Sequence, residues 1–570
     1  MLNPPLLARL ASGAELASAA IQMGRASVVT TAGSWLGATF LGAALGPTLV
    51  LGGAPARALE VVYVTIPLLD TKLKIHLDEV SDPQSLLNGN SDLAELVRAS
   101  DGVVGGSNGR IGGRASGLGG KNSGISSGNG NSIAARIIEL FNTPVPLSLT
   151  QIANGSVGSP LLEQAMLVLS SFGTIEGRPA DLSGRTLNQS LLRAASNGEP
   201  TLLSLMRAIP GRAINLDLGR ARRIGQLMLA QRRRAEQLMA SLPPTSLPPA
   251  AMPIALAAPA AKRSTLALAV AHRPQPLELL LLTPAGGRGN GHLVVISHGL
   301  WDEPASFEGW GLLLARHGYT VVLPRHPGSD SRQQQAVLSG ESPPPSPGEL
   351  ARRPQDIRAL LDAIAANRIA PIAAAQAQRV VVVGHSWGAT TALQLGGLKP
   401  SSGRLLDRCN NVEDPDRNLS WTLQCSWLRG VDQAALGDRR VVAVAAVSPP
   451  NSLLFDRGAA LTMEARVLLI SGSRDWVVPP DPEAIDAIQR PIRLGHRLVL
   501  AQGGDHFNLR PGADPQGGVL GALLLAWTDG AFAAGAAVRP GAQAASFLRP
   551  GGWGNAQIPL RDVTDPLLGR

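Results

Sequence analysis

Three residues in one order could carry covalent chemistry in this chain of 570 residues: the serine of Gly384-His385-Ser386-Trp387-Gly388, then Asp475, then His506. A serine hydroxyl is a weak nucleophile at neutral pH. It needs a base to take its proton, and a carboxylate to hold that base in the right tautomer. Such a set attacks a carbonyl carbon and forms an acyl-enzyme. The G-x-S-x-G pattern alone proves little, because chance supplies roughly half a match in a chain with 64 glycines. Two chance matches, centred on Ser107 and Ser126, lie in a Gly/Ser/Asn-rich stretch with no strand before them and no helix after. Ser386 has both: Val380–Val383 reads as a strand and Ala389–Leu395 as a helix. A sharp strand-to-helix turn presents the hydroxyl, and flanking glycines let neighbouring backbone pass close by.

The acid and the base fall downstream, each after an apolar run. Val467–Ile470 leads into Ser471-Gly472-Ser473-Arg474-Asp475, and Leu498–Leu500 leads to Gly503-Gly504-Asp505-His506-Phe507. The C-terminal ends of parallel strands are where open α/β sheets place their chemistry. His385 is a poor base because it adjoins Ser386 directly, and Asp505 is a poor orienting acid because it adjoins His506. An oxyanion needs two preset N–H groups. Trp387, following the nucleophile, supplies one. Leu300, in His298-Gly299-Leu300-Trp301 after the run Val294–Ser297, is the candidate for the other, with Trp301 as its substitute. His298 reads as a residue that stabilises this loop. The chemistry requires no metal and no organic cofactor.

Positioning these residues requires alternating strands and helices. Short apolar runs at Leu279–Leu282, His292–Ser297, Thr320–Leu323, Arg379–Val383, Val441–Val447, Val467–Ile470 and Leu498–Leu500 suit parallel strands covered on both faces. Helical stretches at Glu308–His317, Pro354–Ala366, Trp387–Gly396 and Gly518–Thr528 lie between or after them, with Pro354 expected at the first helical position. The pattern predicts a doubly wound α/β domain over residues 264–530, followed by a Gly/Pro-rich tail, 531–570.

With these residues in place, the chain resembles bacterial α/β-hydrolases of the predicted dienelactone-hydrolase and platelet-activating-factor-acetylhydrolase-like kind. The likeness runs over roughly 279–529, through HGL at 298–300, GHSWG at 384–388, SGSRDWVVP at 471–479 and GGDHF at 503–507. Upstream, Val61–Val80, FNTPVPLS at 141–148 and LLSLMRAIPGRAINLDL at 202–218 resemble the domain of unknown function that precedes the hydrolase in one exported bacterial subgroup. The resemblance implies an α/β-hydrolase fold, a doubly wound and mostly parallel sheet, preceded by a smaller domain. It also implies ester hydrolysis, of the esterase or lipase-like type, on a small-molecule or lipid ester. Acetylhydrolase relatives can carry the acid after an earlier strand. Here Val441–Val447 ends in Ser448-Pro449-Pro450, so Asp475 remains the candidate. The same fold could serve acyl transfer to another acceptor, or an idle binding or envelope protein; an intact set of three triad positions argues against idleness.

The first half of the chain reads differently. Residues 59–242 have mainly helical periodicity, with Ile133, Ile137, Ile138 and Phe141 on one face and Leu161, Leu162, Met166 and Leu169 on another. A Gly/Ser-rich insertion, 101–132, interrupts them, and a Pro/Ala linker, 243–263, follows. Leu216–Leu242 carries six arginines among apolar residues at helical spacing. Such a helix can lie peripherally on an anionic membrane, though it is more often the solvated face of a domain. Thr31–Gly53 is apolar and uncharged, and Ala56-Arg57-Ala58 suits signal peptidase. Residues 1–58 are therefore expected to be a signal peptide, with Met23 as an alternative start, and the protein periplasmic or extracellular. The alternative is a membrane anchor through 31–53. In an exported chain the two cysteines, Cys409 and Cys425, could be oxidised. Of 51 basic residues only five are lysine, and the net charge of +9 is spread thinly, which argues against a nucleic-acid partner. The insertion Pro400–Asp438 holds both cysteines with Trp421 and Trp427, and reads equally as a lid or a surface excursion.

Overall fold

The computed structural model describes residues 58–66, 71–105, 133–144, 173–178, 185–196, 200–242 and 261–567, with short breaks in the last stretch at 288, 340, 412–413, 415, 457–462, 464, 489–494 and 534–552, and with single residues at 161, 164 and 170. All but Ala58 of the expected signal or anchor lies outside them, as do 106–132 of the insertion, the linker up to 260 and all but Leu161 of the second helical face.

Continuous valine, leucine and isoleucine runs become the centre of a ten-stranded sheet. Its strands are β5 (Lys262–Leu268), β6 (Leu277–Thr283), β7 (Leu293–Ser297), β8 (Thr320–Pro324), β9 (Val380–His385), β10 (Val441–Val447), β11 (Arg466–Gly472), β12 (Arg497–Ala501), β13 (Trp553–Gly554) and β14 (Pro559–Asp562). Their spatial order is β13-β14-β12-β11-β10-β9-β7-β8-β6-β5. The six central strands, β8, β7, β9, β10, β11 and β12, pair in parallel, and the outer ones antiparallel. Every residue of β7, β8, β9 and β11 is buried, as a sheet covered on both faces requires. This is the α/β-hydrolase fold.

Upstream is a smaller four-stranded sheet, order β2-β1-β4-β3, from β1 (Val61–Ile66), β2 (Thr71–His76), β3 (Gly173–Ile175) and β4 (Ala213–Asp217). Helical residues outnumber strand residues here. They form α1 (Pro83–Asn88), α2 (Asp92–Gly105), α3 (Ile133–Phe141), α4 (Arg185–Ser196), α5 (Leu202–Ala208) and α6 (Leu218–Ala240). In the sequence only β1 is announced, by the strand-like run Leu59-Glu60-Val61-Val62-Tyr63-Val64. The other strands of this sheet are short or half-exposed, so they show no apolar run. Because α2 runs to Gly105, the first five residues of the expected insertion are helical.

Around the ten-stranded sheet the other helices are α7 (Glu308–Arg316), α8 (Ser331–Leu338), α9 (Glu349–Ala365), α10 (Trp387–Leu395), α11 (Gly403–Arg408), α12 (Leu419–Cys425) and α13 (Gly521–Ala533). Three boundaries differ from expectation. Pro354 lies inside α9 rather than at its start. Its missing N–H frees the Leu350 carbonyl, and Gln394 Nε2 of α10 donates to that oxygen at 3.1 Å. The linker yields Lys262 and Arg263 to β5, whose register places them opposite Thr283 and Leu282. The tail is not structureless throughout: β14 pairs with β12 and buries Leu560 and Val563 in the cores.

The basic helix α6 docks its C-terminal half on the hydrolase body. Ala235 and Met239 belong to the core that holds Trp387, Trp421 and Trp427, and Arg234 donates to Asp481 at 2.6 Å and Asp486 at 3.0 Å. Among the described residues no helix is long and apolar enough to cross a membrane.

Candidate active site

Four loops meet at the C-terminal edge of the parallel strands. Ser386 leaves β9 with φ 53° and ψ −121°, a strained conformation outside helix and strand, and caps α10. The turn closes only because its neighbours lack side chains. A Cβ on Gly384 would stand 2.1 Å from the Gly388 oxygen, and one on Gly388 would stand 2.0 Å from the Ser297 oxygen. The second contact also shows how closely the end of β7 runs past the elbow. A Cβ on Gly299 would come within 3.4 Å of the Ser386 Cβ.

The structure brings Asp475 and His506 together. His506 Nδ1 and Asp475 Oδ2 are 2.9 Å apart, and both side chains are buried. The other carboxylate oxygen of Asp475 accepts the N–H groups of Val477 and Val478 at 3.0 and 2.8 Å, so the acid cannot swing away from the ring. The two loops touch: a Cβ on Gly472 would meet the Gly504 oxygen at 2.4 Å. His385 is committed elsewhere. Its Nε2 donates to the His506 carbonyl at 2.9 Å, and burial, with His506 nearby, holds the ring well below the usual histidine range. Asp505 accepts from the N–H groups of Phe507 and Asn508 at 2.8 Å each, capping its own turn.

Of the loop donors after β7, Trp301 is excluded: its N–H donates to the Ser329 carbonyl at 2.8 Å. Leu300 N–H and Trp387 N–H have no acceptor among the described residues, the latter as the first residue of α10.

Behind the loop lies a cluster that sequence reasoning missed, apart from the loop role of His298. Ser297 Oγ meets His326 Nε2 at 2.9 Å, and His326 Nδ1 meets Asp356 Oδ2 at 2.8 Å. That is a second Ser-His-Asp chain, but all three are 0% exposed, which closes it to substrate. Asp356 also takes His272 at 2.7 Å and a forked pair of bonds from Arg273, which in turn grips Glu349. Burial alone would raise the Asp356 carboxyl, yet the bonds from His272, His326 and Arg273 hold it well below its usual range. Burial, then the Arg353 charge, pushes His326 down to about 4. No sequence motif marks these residues; they converge from four separate segments.

The 400–438 insertion is neither loose nor peripheral. Cys409 and Cys425 form a disulfide, and Trp421 and Trp427 are buried in the main core. Glu483, fully buried, accepts from the N–H groups of Asn451 and Ser452 at 2.7 Å each and from Gln424 Nε2 at 3.0 Å. It thereby ties the insertion to the segment that follows Asp475. A cavity of about 200 Å³ adjoins the acid loop, lined by Met228, Leu229 and Arg232 of α6 and by Arg474, Trp476 and Pro479. Among the described residues no group of three or more His, Cys, Asp or Glu has the geometry to hold a metal ion.

Residues 293–566 match the model of the alpha/beta hydrolase family. The segment that carries all four loops thus has the α/β-hydrolase fold and is similar to that family. No curated protein matches the chain.

Proposed function

We propose that the protein is an exported serine hydrolase that cleaves carboxylic esters. Ser386 attacks the carbonyl carbon while His506 takes its proton, and Asp475 holds the imidazole with its proton on Nδ1. The N–H groups of Leu300 and Trp387 receive the oxyanion. His506 then protonates the leaving alcohol, and water, activated by the same histidine, hydrolyses the acyl-enzyme. The observation that carries this reading is the 2.9 Å contact between His506 and Asp475, with the His506 ring 4.8 Å from that of His385, which precedes a serine held at φ 53°. Likeness to dienelactone-hydrolase and acetylhydrolase-like enzymes rests on the motifs at 298–300, 384–388, 471–479 and 503–507. Export is supported by the apolar segment 31–53 and by the Cys409–Cys425 disulfide.

The test is hydrolysis of p-nitrophenyl esters, from acetyl to dodecanoyl, by the full chain and by Ser386→Ala. Activity in the wild type, reduced by several powers of ten in the variant, supports the reading. No hydrolysis, together with no covalent labelling of Ser386 by a fluorophosphonate, would replace it with a binding protein on a hydrolase fold.

A further inference from the structure

Arg353 of α9 is 1% exposed, and among the described residues it forms no ion pair. Its guanidinium is spent instead on neutral acceptors of the loops after β7 and β8. Nη1 donates to the His298 carbonyl at 2.9 Å, Nη2 to the Gly299 carbonyl at 3.0 Å and Nε to Ser329 Oγ at 3.0 Å. His298 adds to the same grip. The His326 N–H donates to its Nε2 at 3.0 Å, so the neutral ring carries its proton on Nδ1 and gives it to the Gly299 carbonyl at 2.8 Å. Burying a guanidinium without a carboxylate in direct contact is costly, and the nearby charges of Glu349, Asp356 and Asp330 offset burial only in part. Burial pushes its pKa down to about 10, which still leaves it charged at neutral pH. That the guanidinium is given to neutral carbonyls, with no carboxylate paired directly to it, calls for a reason.

The geometry gives one. The Gly299–Leu300 peptide is trans, so its C=O and N–H point in opposite directions. With the carbonyl fixed on the guanidinium, the Leu300 N–H is turned away from Arg353 and left without an acceptor. The same guanidinium lies 5.9 Å from the Trp387 ring, beneath the residue that supplies the other N–H.

We propose that Arg353 is a positioning residue for the oxyanion hole: it fixes the peptide planes at 298–300 and places a buried positive charge behind both donors. The inference rests on the ester-hydrolase reading above. The sealed Ser297–His326–Asp356 chain and the Arg273–Glu349 pair serve as its scaffold, holding His298 and Ser329 in place for the fork.

Arg353→Met and Arg353→Lys in the full chain test it, with kcat expressed per active site by fluorophosphonate titration and with KM and thermal unfolding measured in parallel. Arg353→Met is expected to lose about 10²–10³-fold in kcat, with KM within about threefold, because oxyanion donors act mainly in the transition state. A trifluoromethyl ketone, which forms an anionic hemiketal on Ser386, should lose affinity by a similar factor. Arg353→Lys keeps the charge but not the fork, so its loss should be smaller. A merely structural role would lower the melting temperature and the titratable fraction while leaving kcat per site unchanged, and that result overturns the proposal. If Arg353→Met does not fold, the lysine variant decides: kcat per site and ketone affinity both equal to wild type would also overturn it. Failure of the underlying reading looks different, since wild type would then neither turn over esters nor label at Ser386.

Discussion

The ring of Trp427 lies 4.6 Å from that of Trp387, centroid to centroid, in a tilted contact sealed from solvent. Trp427 comes from the disulfide-closed insertion, and Trp387 follows Ser386 at the turn into α10. The insertion is therefore built into the wall of the elbow. Trp427→Ala should cost about 3–5 kcal/mol of stability by leaving a cavity, and should lower kcat by letting Trp387 shift. Trp427→Phe, which refills most of the space, should restore most of both. Denaturant unfolding and kcat per titrated site check this pair; full activity in a destabilised Trp427→Ala would detach the insertion from the chemistry.

Asp475→Asn preserves the shape of the acid but not its instruction to the base. The amide oxygen can still accept from Val477 and Val478, which leaves an NH2 facing His506 Nδ1. The imidazole must then carry its proton on Nε2, where it cannot take the serine proton. A loss of about 10⁴-fold in kcat is expected, with little change in folding. A loss under tenfold would place the orienting acid elsewhere.

Four buried histidines, His298, His326, His385 and His496, are held neutral, chiefly by burial; His326 and His496 are lowered from 6.5 to about 4. The unfolded chain binds these protons near pH 6.5 and the folded chain does not. Their stabilisation is therefore complete above 6.5 and is lost as the pH falls from 6.5 toward 4. Each contributes a slope of up to about 1.4 kcal/mol per pH unit. The raised carboxyls Asp481, Glu483 and Asp562 act in the opposite sense, so a difference measurement isolates one histidine. His496 accepts the Val467 N–H at 3.0 Å, a bond that a glutamine oxygen can replace. Between pH 7 and 5, urea unfolding of His496→Gln should lose less stability than wild type does. Parallel curves would show that His496 is protonated in the fold.

The seven apolar runs that became β6 to β12 were legible as strands because a strand buried on both faces must be apolar throughout, but the run Leu279–Leu282, expected to be parallel, pairs antiparallel with both β5 and β8. Ser386, Asp475 and His506 were legible because each follows such a run by a short turn. What stayed hidden depends on long-range contact. Strands β2 to β4 are short and half-exposed. Strand β14 consists of Pro559, Leu560, Arg561 and Asp562, and nothing in that run announces that it pairs with β12. Arg353 looks like one more arginine in a row of two before a proline, and only the fold reveals that its fork closes on His298 and Gly299.

The misplaced start of α9 yields the last expectation. A proline normally interrupts a helix because the carbonyl four residues back loses its partner and the ring crowds it. Here Gln394, 1% exposed on α10, supplies the missing donor to Leu350 and also reaches the Ala434 carbonyl at 3.2 Å. The helix through Pro354 is thus completed by a side chain from α10, the helix that Ser386 caps. Gln394→Leu, similar in volume, should cost about 1–3 kcal/mol by orphaning two buried carbonyls. In a Pro354→Ala background the new N–H can satisfy Leu350 itself. There the same substitution should cost less, by about 0.5–1.5 kcal/mol, the worth of one hydrogen bond. A double-mutant cycle in urea measures that coupling directly. Strict additivity would mean that Gln394 does not substitute for the proline's absent N–H.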